Sequence, residues 1–257
     1  MISSRSIAIA RAGCRLFASD PAPLIATVVM PLALMAFVVP AVQAQLHGQG
    51  YTDASGAEQL VPGMSAMFAF FSVSLVGTLF YREHFWGTWD RLRASPATTA
   101  DIILGKVAPL YLVQLLQMAA IFALGTLFFD YRITGSVVAL VVTGLLFVAM
   151  VVAFSVMMVS LFTTMDQAVV LGNMSGMIMS GIGGSLTSPD TLPVWMQAIA
   201  QWTPVYYHLE AMRAITLDGA GLAEVAPRLL VVALFTVGFA VVAGFRFRVA
   251  DSKIGTT

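Results

Sequence analysis

Long apolar runs alternate with short polar segments along most of the chain. A helix needs about 20 mostly apolar residues to cross the hydrocarbon core of a bilayer, because backbone polar groups left unpaired in lipid are costly. Six segments meet this requirement, the last with the least margin: residues 24–44, 63–81, 107–128, 136–161, 168–187 and 229–245. The pattern therefore predicts an all-α membrane protein with six transmembrane helices.

The composition excludes a soluble globular protein. Hydrophobic residues make up 59% of the 257 positions, charged residues 10%, and the mean hydropathy is +0.88. The formal net charge is zero, so the overall charge says nothing about nucleic-acid or acidic partners. We expect no nucleic-acid partner for this membrane protein. His47 stands alone in a polar loop, and no group of residues has the spacing of a metal site or a catalytic centre.

Charge placement predicts the orientation of the helices. With the N-terminus in the cytoplasm, only Arg132, Arg213 and Arg228 fall outside. The other cations fall inside: Arg5, Arg11, Arg15, Arg82, Arg91, Arg93, Lys106, Arg246, Arg248 and Lys253. Positive residues concentrate in cytoplasmic loops. We therefore expect a multi-pass protein of the cell membrane with both termini in the cytoplasm.

Two segments outside the predicted spans have helical periodicity. Residues 2–19 place Ile9 and Leu16 on one face and Arg11 and Arg15 on another, which predicts an amphipathic helix on the cytoplasmic membrane surface. Between the fifth and sixth spans, residues 191–202 and 206–219 predict two short helices separated by Pro204. Their tyrosine and tryptophan side chains favour the membrane interface over a fully solvated position.

The most polar stretch near the middle of the chain, FYREHFWGTWDRLRASP at residues 80–96, also predicts a helix. Residues 82–94 place Phe85, Trp89 and Leu92 on one stripe and charges on the other faces, so this helix cannot span a membrane. Pro96 ends it, and Thr98 with Asp101 forms a capping box that begins the third span. The aromatic stripe suits docking into a cleft of a soluble partner or, as the alternative, packing on the membrane surface.

This stretch carries the pattern R-E-x-x-x-G-T-W-[DE]-R-L-x-x-[ST]-P, which resembles the permease subunits of type-2 ABC exporters. A second segment, LPVWMQAIAQWTPVYYHLEAMR at residues 192–213, is similar to that family's signature between spans five and six. The order of the two motifs and the six-span layout match over essentially the whole chain. The resemblance implies a single type-2 transmembrane domain over residues 1–257, closest to the multidrug and antibiotic-resistance (daunorubicin-resistance-like) branch.

The resemblance also assigns roles to residues in both motifs. The first motif implies a coupling helix between spans two and three that contacts an ATPase subunit: Arg82, Glu83, Phe85, Trp86, Gly87, Thr88, Trp89, Asp90, Arg91 and Leu92. The second implies re-entrant external helices that form a gate: Pro193, Trp195, Met196, Ile199, Pro204, Tyr206, Glu210 and Arg213.

The sequence lacks the phosphate-binding motif G-x-x-x-x-G-K-[ST]. Its one Gly-Lys pair, Gly105 and Lys106, has neither the upstream glycine nor the following hydroxyl. We therefore expect a transport subunit that is not itself an enzyme and binds no cofactor. ATP and Mg would be bound by partner ABC ATPase subunits.

Two sets of residues within the spans are candidates for packing and transport. Small residues recur every four positions in span five, which predicts a helix-packing seam: Gly172, Gly176, Ser180 and Gly184. The resemblance implies that this seam lies at the interface with a second, identical or homologous permease, and packing within one subunit is the alternative. Soft apolar side chains on spans two and five are candidates for a substrate lining or for lipid-facing positions: Phe68, Phe71, Met174 and Met177.

The resemblance implies export of a hydrophobic or amphipathic, drug-like or antibiotic-like substrate, powered by a separate ATPase. Export of a lipid or lipid-linked glycan is the alternative. An intramembrane hydrolase is disfavoured because His47, His84 and His208 all fall outside the predicted spans. An ion-coupled transporter is disfavoured because no predicted span carries a charge in its middle.

Overall fold

A computed structural model of the chain describes residues 4–85 and 98–246, and the regular elements in these two ranges are all helical. Short connections join most of them, as is usual between neighbouring helices in a bundle. The helices are α1 Ser4–Ser19, α2 Ala22–Gly48, α3 Ala57–Ala69, α4 Ser72–Phe85, α5 Thr99–Phe129, α6 Val137–Leu161, α7 Met165–Ile182, α8 Val194–Ala200, α9 Pro204–Thr216 and α10 Leu222–Arg246, with a 3₁₀ turn at Pro189–Thr191.

Side-chain caps fix where several helices begin. The predicted capping box is confirmed: the Asp101 backbone N–H donates to the Thr98 hydroxyl, and the Asp101 carboxylate accepts from the Thr98 backbone N–H at 3.0 Å. Ser136, Thr164 and Thr203 likewise accept from backbone N–H groups at the starts of α6, α7 and α9. These bonds satisfy amide donors that the first turn of a helix leaves free.

Five helical stretches among the described residues are long and apolar enough to cross a membrane: Ala22–Gly48, Ala57–Tyr81, Asp101–Phe129, Val137–Leu161 and Leu222–Arg246. They correspond to the predicted spans one, two, three, four and six. The second comprises α3 and α4, and the last begins earlier than the predicted residue 229.

The predicted fifth span corresponds to α7, which is not among these five stretches. It has 18 residues, about 27 Å of helix against a hydrocarbon core of about 30 Å. Polar Asp166, Gln167 and Asn173 reduce its apolar character. The count of six spans therefore stays a prediction.

The helix ends gather into two opposite groups. At one end, the start of α5 contacts α1 and the end of α4 contacts the end of α6, through the Ser6–Asp101 and Tyr81–Phe162 hydrogen bonds. At the other end, the segment before α6 bonds to the end of α9, where Gly135 N–H donates to Ile215 O at 3.0 Å. We call these the α4–α5 end and the α9 end.

Helix α6 is the centre of the bundle. Helices α4, α5, α7, α9 and α10 all pack against it. Phe147 and Phe154 of α6 contact the Phe70 ring edge-on, at centroid distances of 6.5 and 5.3 Å. The same buried cluster includes Val205 from α9 and Val232 from α10.

Polar side chains inside the bundle are paired between helices. The hydroxyls of Ser72 and Ser155 lie 2.8 Å apart and join α4 to α6. Asn173 of α7 donates to the Ser74 hydroxyl of α4 at 3.0 Å. Such bonds favour association because the alternative in lipid is an unpaired polar group, although each contributes only about 1 kcal/mol.

The small-residue seam of α7 packs inside the chain. A Cβ at Gly176 would lie 2.2 Å from Cγ of Phe70, and a Cβ at Gly172 would lie 2.7 Å from Cγ1 of Val73. Ser180, one turn further along, is also buried. These three residues therefore form an intrasubunit seam, the alternative to a seam between permeases.

Gly184 does not belong to this seam, contrary to the prediction. Helix α7 ends at Ile182, five residues before the predicted end of the span, so the four-residue spacing no longer places Gly184 on the same face. Its φ of +96° favours glycine, and its carbonyl accepts from Nε2 of Gln59 at 2.7 Å.

Replacing Gly176 with Leu should destabilise the folded chain itself. The added side chain would collide with Phe70, and overpacking of this kind costs about 1–3 kcal/mol or more. Thermal unfolding in detergent measures the loss. Gly181→Leu is the matched control, because nothing lies within 4 Å of a Cβ at that position of the same helix. Equal unfolding temperatures for the two variants would contradict the assignment of the seam.

Candidate functional site

The predicted coupling residues connect the end of α4 to the start of α5. Arg82, Glu83 and Phe85 are described as backbone only, in the last turn of α4. The others lie outside the described residues: Trp86, Gly87, Thr88, Trp89, Asp90, Arg91 and Leu92. The described residues instead show which contacts fix the end of α4 and the start of α5, on either side of this segment.

The start of α5 is held by α1. The Ser6 hydroxyl donates to Oδ1 of Asp101 at 2.9 Å, so one carboxylate serves both the capping box and the contact with α1. The helices approach closely at two glycines: a Cβ at Gly105 would lie 2.7 Å from Cβ of Ile9, and one at Gly13 would lie 2.8 Å from Cγ of Pro109. Helix α1 is therefore packed on α5, and its location on the membrane surface stays a prediction.

The end of α4 is held by α5 and α6. Nζ of the buried Lys106 donates to the Leu79 carbonyl at 2.8 Å and lies 4.4 Å from the centroid of the Phe80 ring. The Tyr81 hydroxyl donates to the Phe162 carbonyl, just beyond the end of α6, at 2.9 Å. The sequence pattern identified Lys106 only as a cytoplasmic positive charge and did not indicate this contact.

The predicted gate residues occupy α8 and α9 at the opposite end of the bundle. Helix α8 presents apolar side chains outward: Trp195 is 61% exposed, Ile199 45% and nearby Trp202 81%. Pro193 precedes α8 as its N-cap, and Met196 is half-buried. Outward-facing tryptophans suit a membrane interface.

Helix α9 packs inward, starting at the buried Pro204. Its partly buried polar residues Tyr206, Glu210 and Arg213 line a cavity of about 230 Å³. In that cavity Oε2 of Glu210 lies 3.2 Å from Nε of Arg228 on α10. The other polar residues lining the cavity are Tyr51, Gln59, Asp190, Asp218 and Arg228.

Arg213 joins three segments at the α9 end. Its guanidinium donates to the Ser188 hydroxyl, between α7 and α8, and to Oε1 of Gln49, after α2, at 2.6 Å. Next to it the Tyr51 hydroxyl donates to Asp218 at 2.7 Å. The Asp218 bond, burial and the negative charge of Asp218 raise the pKa of Tyr51 above its ordinary value, so the phenol remains a donor at neutral pH. Arg213, one of the predicted gate residues, is thus bonded to two connections that lie far apart in sequence.

The connection between α2 and α3 is held by Glu58. The buried Glu58 carboxylate accepts from the backbone N–H groups of Ser55 and Gly56 at 3.0 and 3.1 Å. Helix α3 follows directly, and at Gly63 a Cβ would lie only 1.9 Å from the Ser185 carbonyl oxygen. The start of α3 is therefore packed against the chain between α7 and α8. These contacts join residues that are distant in sequence, so periodicity alone could not predict them.

The four candidate lining residues are not gathered in one site. The Phe68 and Phe71 rings stack at 5.5 Å within a cluster formed by α2, α3 and α5. Met174 and Met177 instead lie on the exposed face of α7. Their role in a substrate pathway stays a prediction.

His208 lies in an environment that the sequence pattern did not indicate. It was predicted to lie outside the spans, and it does lie on α9, but its side chain is buried and stacks on Phe147 of α6 at a centroid distance of 3.8 Å. Nδ1 has no hydrogen-bond partner among the described residues. None of the hydrogen bonds described for the chain joins His208 to a serine, as a hydrolase would require.

Comparisons with known proteins agree with the two motifs. The chain is 30% identical over 196 residues to the probable multidrug ABC transporter permease YbhR of Escherichia coli K12, covering 74% of this chain and 52% of the relative. It is 24% identical over 190 residues to the linearmycin resistance permease protein LnrN of Bacillus subtilis, covering 73% and 49%. It is also 31% identical over 169 residues to ABC transporter G family member 20 of Dictyostelium discoideum, covering 63% and 22%.

The chain spans about half the length, or less, of the curated relatives it matches. The family described as "ABC-2 type transporter" matches residues 6–217. This range includes both motifs, the anchored ends of α4 and α5, and all of α9. The chain therefore belongs to the ABC-2 type transporter family, whose members are multi-pass membrane proteins.

Proposed function

We propose that the chain is the membrane-embedded permease subunit of an ATP-driven exporter, moving a hydrophobic or amphipathic, drug-like substrate out of the cell. The observation that carries this proposal is the family match over residues 6–217. The substrate class is supported by relatives named as a multidrug permease and a linearmycin resistance permease. The chain itself would not be an enzyme.

The energy would come from ABC ATPase subunits that bind ATP and Mg and contact the coupling segment, residues 82–92. Three hydrogen bonds support this role. The segment follows α4, whose end is bonded to α5 and α6 through Lys106 and Tyr81, and it precedes α5, whose start is bonded to α1 through Asp101. A displacement of the segment would therefore be passed directly to packed helices.

The α4–α5 end would face the cytoplasm and the α9 end the outside. The exposed Arg11, Arg15 and Arg246 belong to helix portions at the α4–α5 end, in keeping with the positive-inside rule. Both chain termini would then be cytoplasmic and the protein would lie in the cell membrane.

Helices α8 and α9 would form the external gate, with Arg213 as its main polar contact. A second permease, identical or homologous, would complete the translocation path. The exposed apolar face of α7, which includes Met174 and Met177, is available to the substrate, the second permease or lipid, because the opposite face is used by the intrasubunit seam.

Replacing Trp89 and Leu92 with Ala should uncouple the ATPase while leaving membrane insertion intact. Truncating buried aromatic anchors at interfaces typically costs about 2 kcal/mol or more, so substrate-stimulated ATP hydrolysis by the assembled complex should fall roughly 10-fold or more. Trp202→Ala is the matched control, because the same residue type lies exposed at the α9 end. Unchanged stimulation in the Trp89 and Leu92 variant would refute the coupling role.

Replacing Arg213 with Gln should loosen the gate. Loss of its charged hydrogen bonds, which are partly exposed, should cost about 1–2 kcal/mol and raise the fraction of open gate about 5- to 30-fold. A cysteine placed at the buried Leu209, with Cys14→Ser as background, reports opening through its labelling rate with a membrane-impermeant maleimide. Arg132→Gln is the control because, among the described residues, Arg132 forms an exposed ion pair with its neighbour Asp130. Equal labelling rates in the two variants would count against the gate assignment.

A further inference from the structure

His208 occupies an unusual environment for an ionisable side chain. It lies on α9, outside the five long apolar helices, yet its ring is almost fully buried and lies nearly parallel to the ring of Phe147, at an interplanar angle of 15°. Nδ1 faces no hydrogen-bond partner among the described residues. An imidazolium donates from both ring nitrogens and would need hydrogen-bond acceptors or water at each, so this packing favours the neutral ring.

Charged neighbours do not explain why the neutral form of His208 is preferred. Helices α3, α6, α7 and α10 pack against α9, and α6 has no ionisable residue. The titratable and charged groups on the other packed helices and on α9 are Glu58 of α3, Asp166 of α7, Glu224, Arg228 and Arg246 of α10, and Tyr206, Tyr207, Glu210 and Arg213 of α9. Burial alone lowers the pKa of His208, to about 3, with no contribution from these groups.

We propose that His208 is a proton-binding site that is closed while α9 is packed on α6 and opens when α9 moves, so that external acid favours the displaced state of α9. The inference rests on the proposed function, in which α9 belongs to the external gate. It adds a ligand, the proton, and a site that the family match does not assign.

The direction of the effect follows from the difference between the two states. With α9 packed, His208 stays neutral down to about pH 3. With α9 displaced and the ring hydrated, its pKa returns to the ordinary value of about 6.5. Between these values the displaced state binds more protons, so packing of α9 is fully stable above pH 6.5 and weakens as the pH falls. Between pH 7.5 and 5.0 the opening constant of α9 should rise about 30-fold.

Hydrogen–deuterium exchange of the full chain in lipid nanodiscs measures this opening. Exchange of peptides from α9 is followed at pH 7.5 and 5.0 and corrected for the intrinsic pH dependence of amide exchange. The expected result is about 30-fold more opening at pH 5.0 in the wild type and in the control variant His47→Gln. His47 is the matched control because it lies at the same end of the bundle and contacts the Ala54 carbonyl at 3.0 Å.

His208→Phe should abolish the pH dependence while keeping the ring stack on Phe147. If the opening of α9 in His208→Phe rises with acid as in the wild type, or if the wild type does not respond to pH, the proposal is overturned. Should His208→Phe fail to fold, nitrogen NMR of wild-type protein with labelled histidine decides: a His208 resonance that titrates near pH 6.5 in the packed state would overturn the proposal.

The exchange measurement needs neither an ATPase nor a substrate. Loss of ATP-driven transport with an intact acid response would therefore refute the proposed function and leave the proton site standing. ATP-driven transport with no acid response in α9 would refute the proton site and leave the proposed function standing.

Discussion

Packing against α6 is the constraint on which the rest of the bundle depends. Lipid tails are as apolar as leucine, so helices in a bilayer gain little from hydrophobicity alone and associate through close packing and polar contacts. Helix α6 supplies both: Phe147 and Phe154 interlock with Phe70, and Ser155 bonds to Ser72. Because α4, α5, α7, α9 and α10 all contact it, no one of them can shift far without repacking α6.

This arrangement relates the two ends of the molecule. At the α4–α5 end, the Tyr81 hydroxyl bonds to Phe162, just beyond the end of α6. Towards the α9 end, His208 stacks on Phe147 of the same helix. A force on the segment between α4 and α5 therefore has a short, packed route through α6 to the helix that we assign to the gate. The small residues of α7 serve this packing within the chain, which leaves the outer face of α7 for other contacts.

Much of this fold follows from local sequence patterns. Apolar run length predicted six spans, five of which correspond to long apolar helices among the described residues, and the Thr98–Asp101 spacing predicted the capping box. Both signals depend on residues close in sequence. Tertiary contacts were not predictable in this way. Periodicity placed Gly184 in the α7 stripe because it could not indicate that Gln59 bonds to the Gly184 carbonyl beyond the helix end. Hydropathy correctly placed His208 outside the long apolar helices, but it could not indicate that the helix carrying His208 packs onto Phe147.

We propose above that this chain provides the translocation path and that a separate ATPase provides the energy by hydrolysing ATP. Reconstitution tests it most directly: the chain is placed in proteoliposomes alone and with its co-purifying ATPase subunit, and ATP-dependent movement of a fluorescent amphipathic substrate is measured. The account predicts transport only when both are present with ATP and Mg, and none when the ATPase is omitted. Equal transport against a concentration gradient by the chain alone would contradict it.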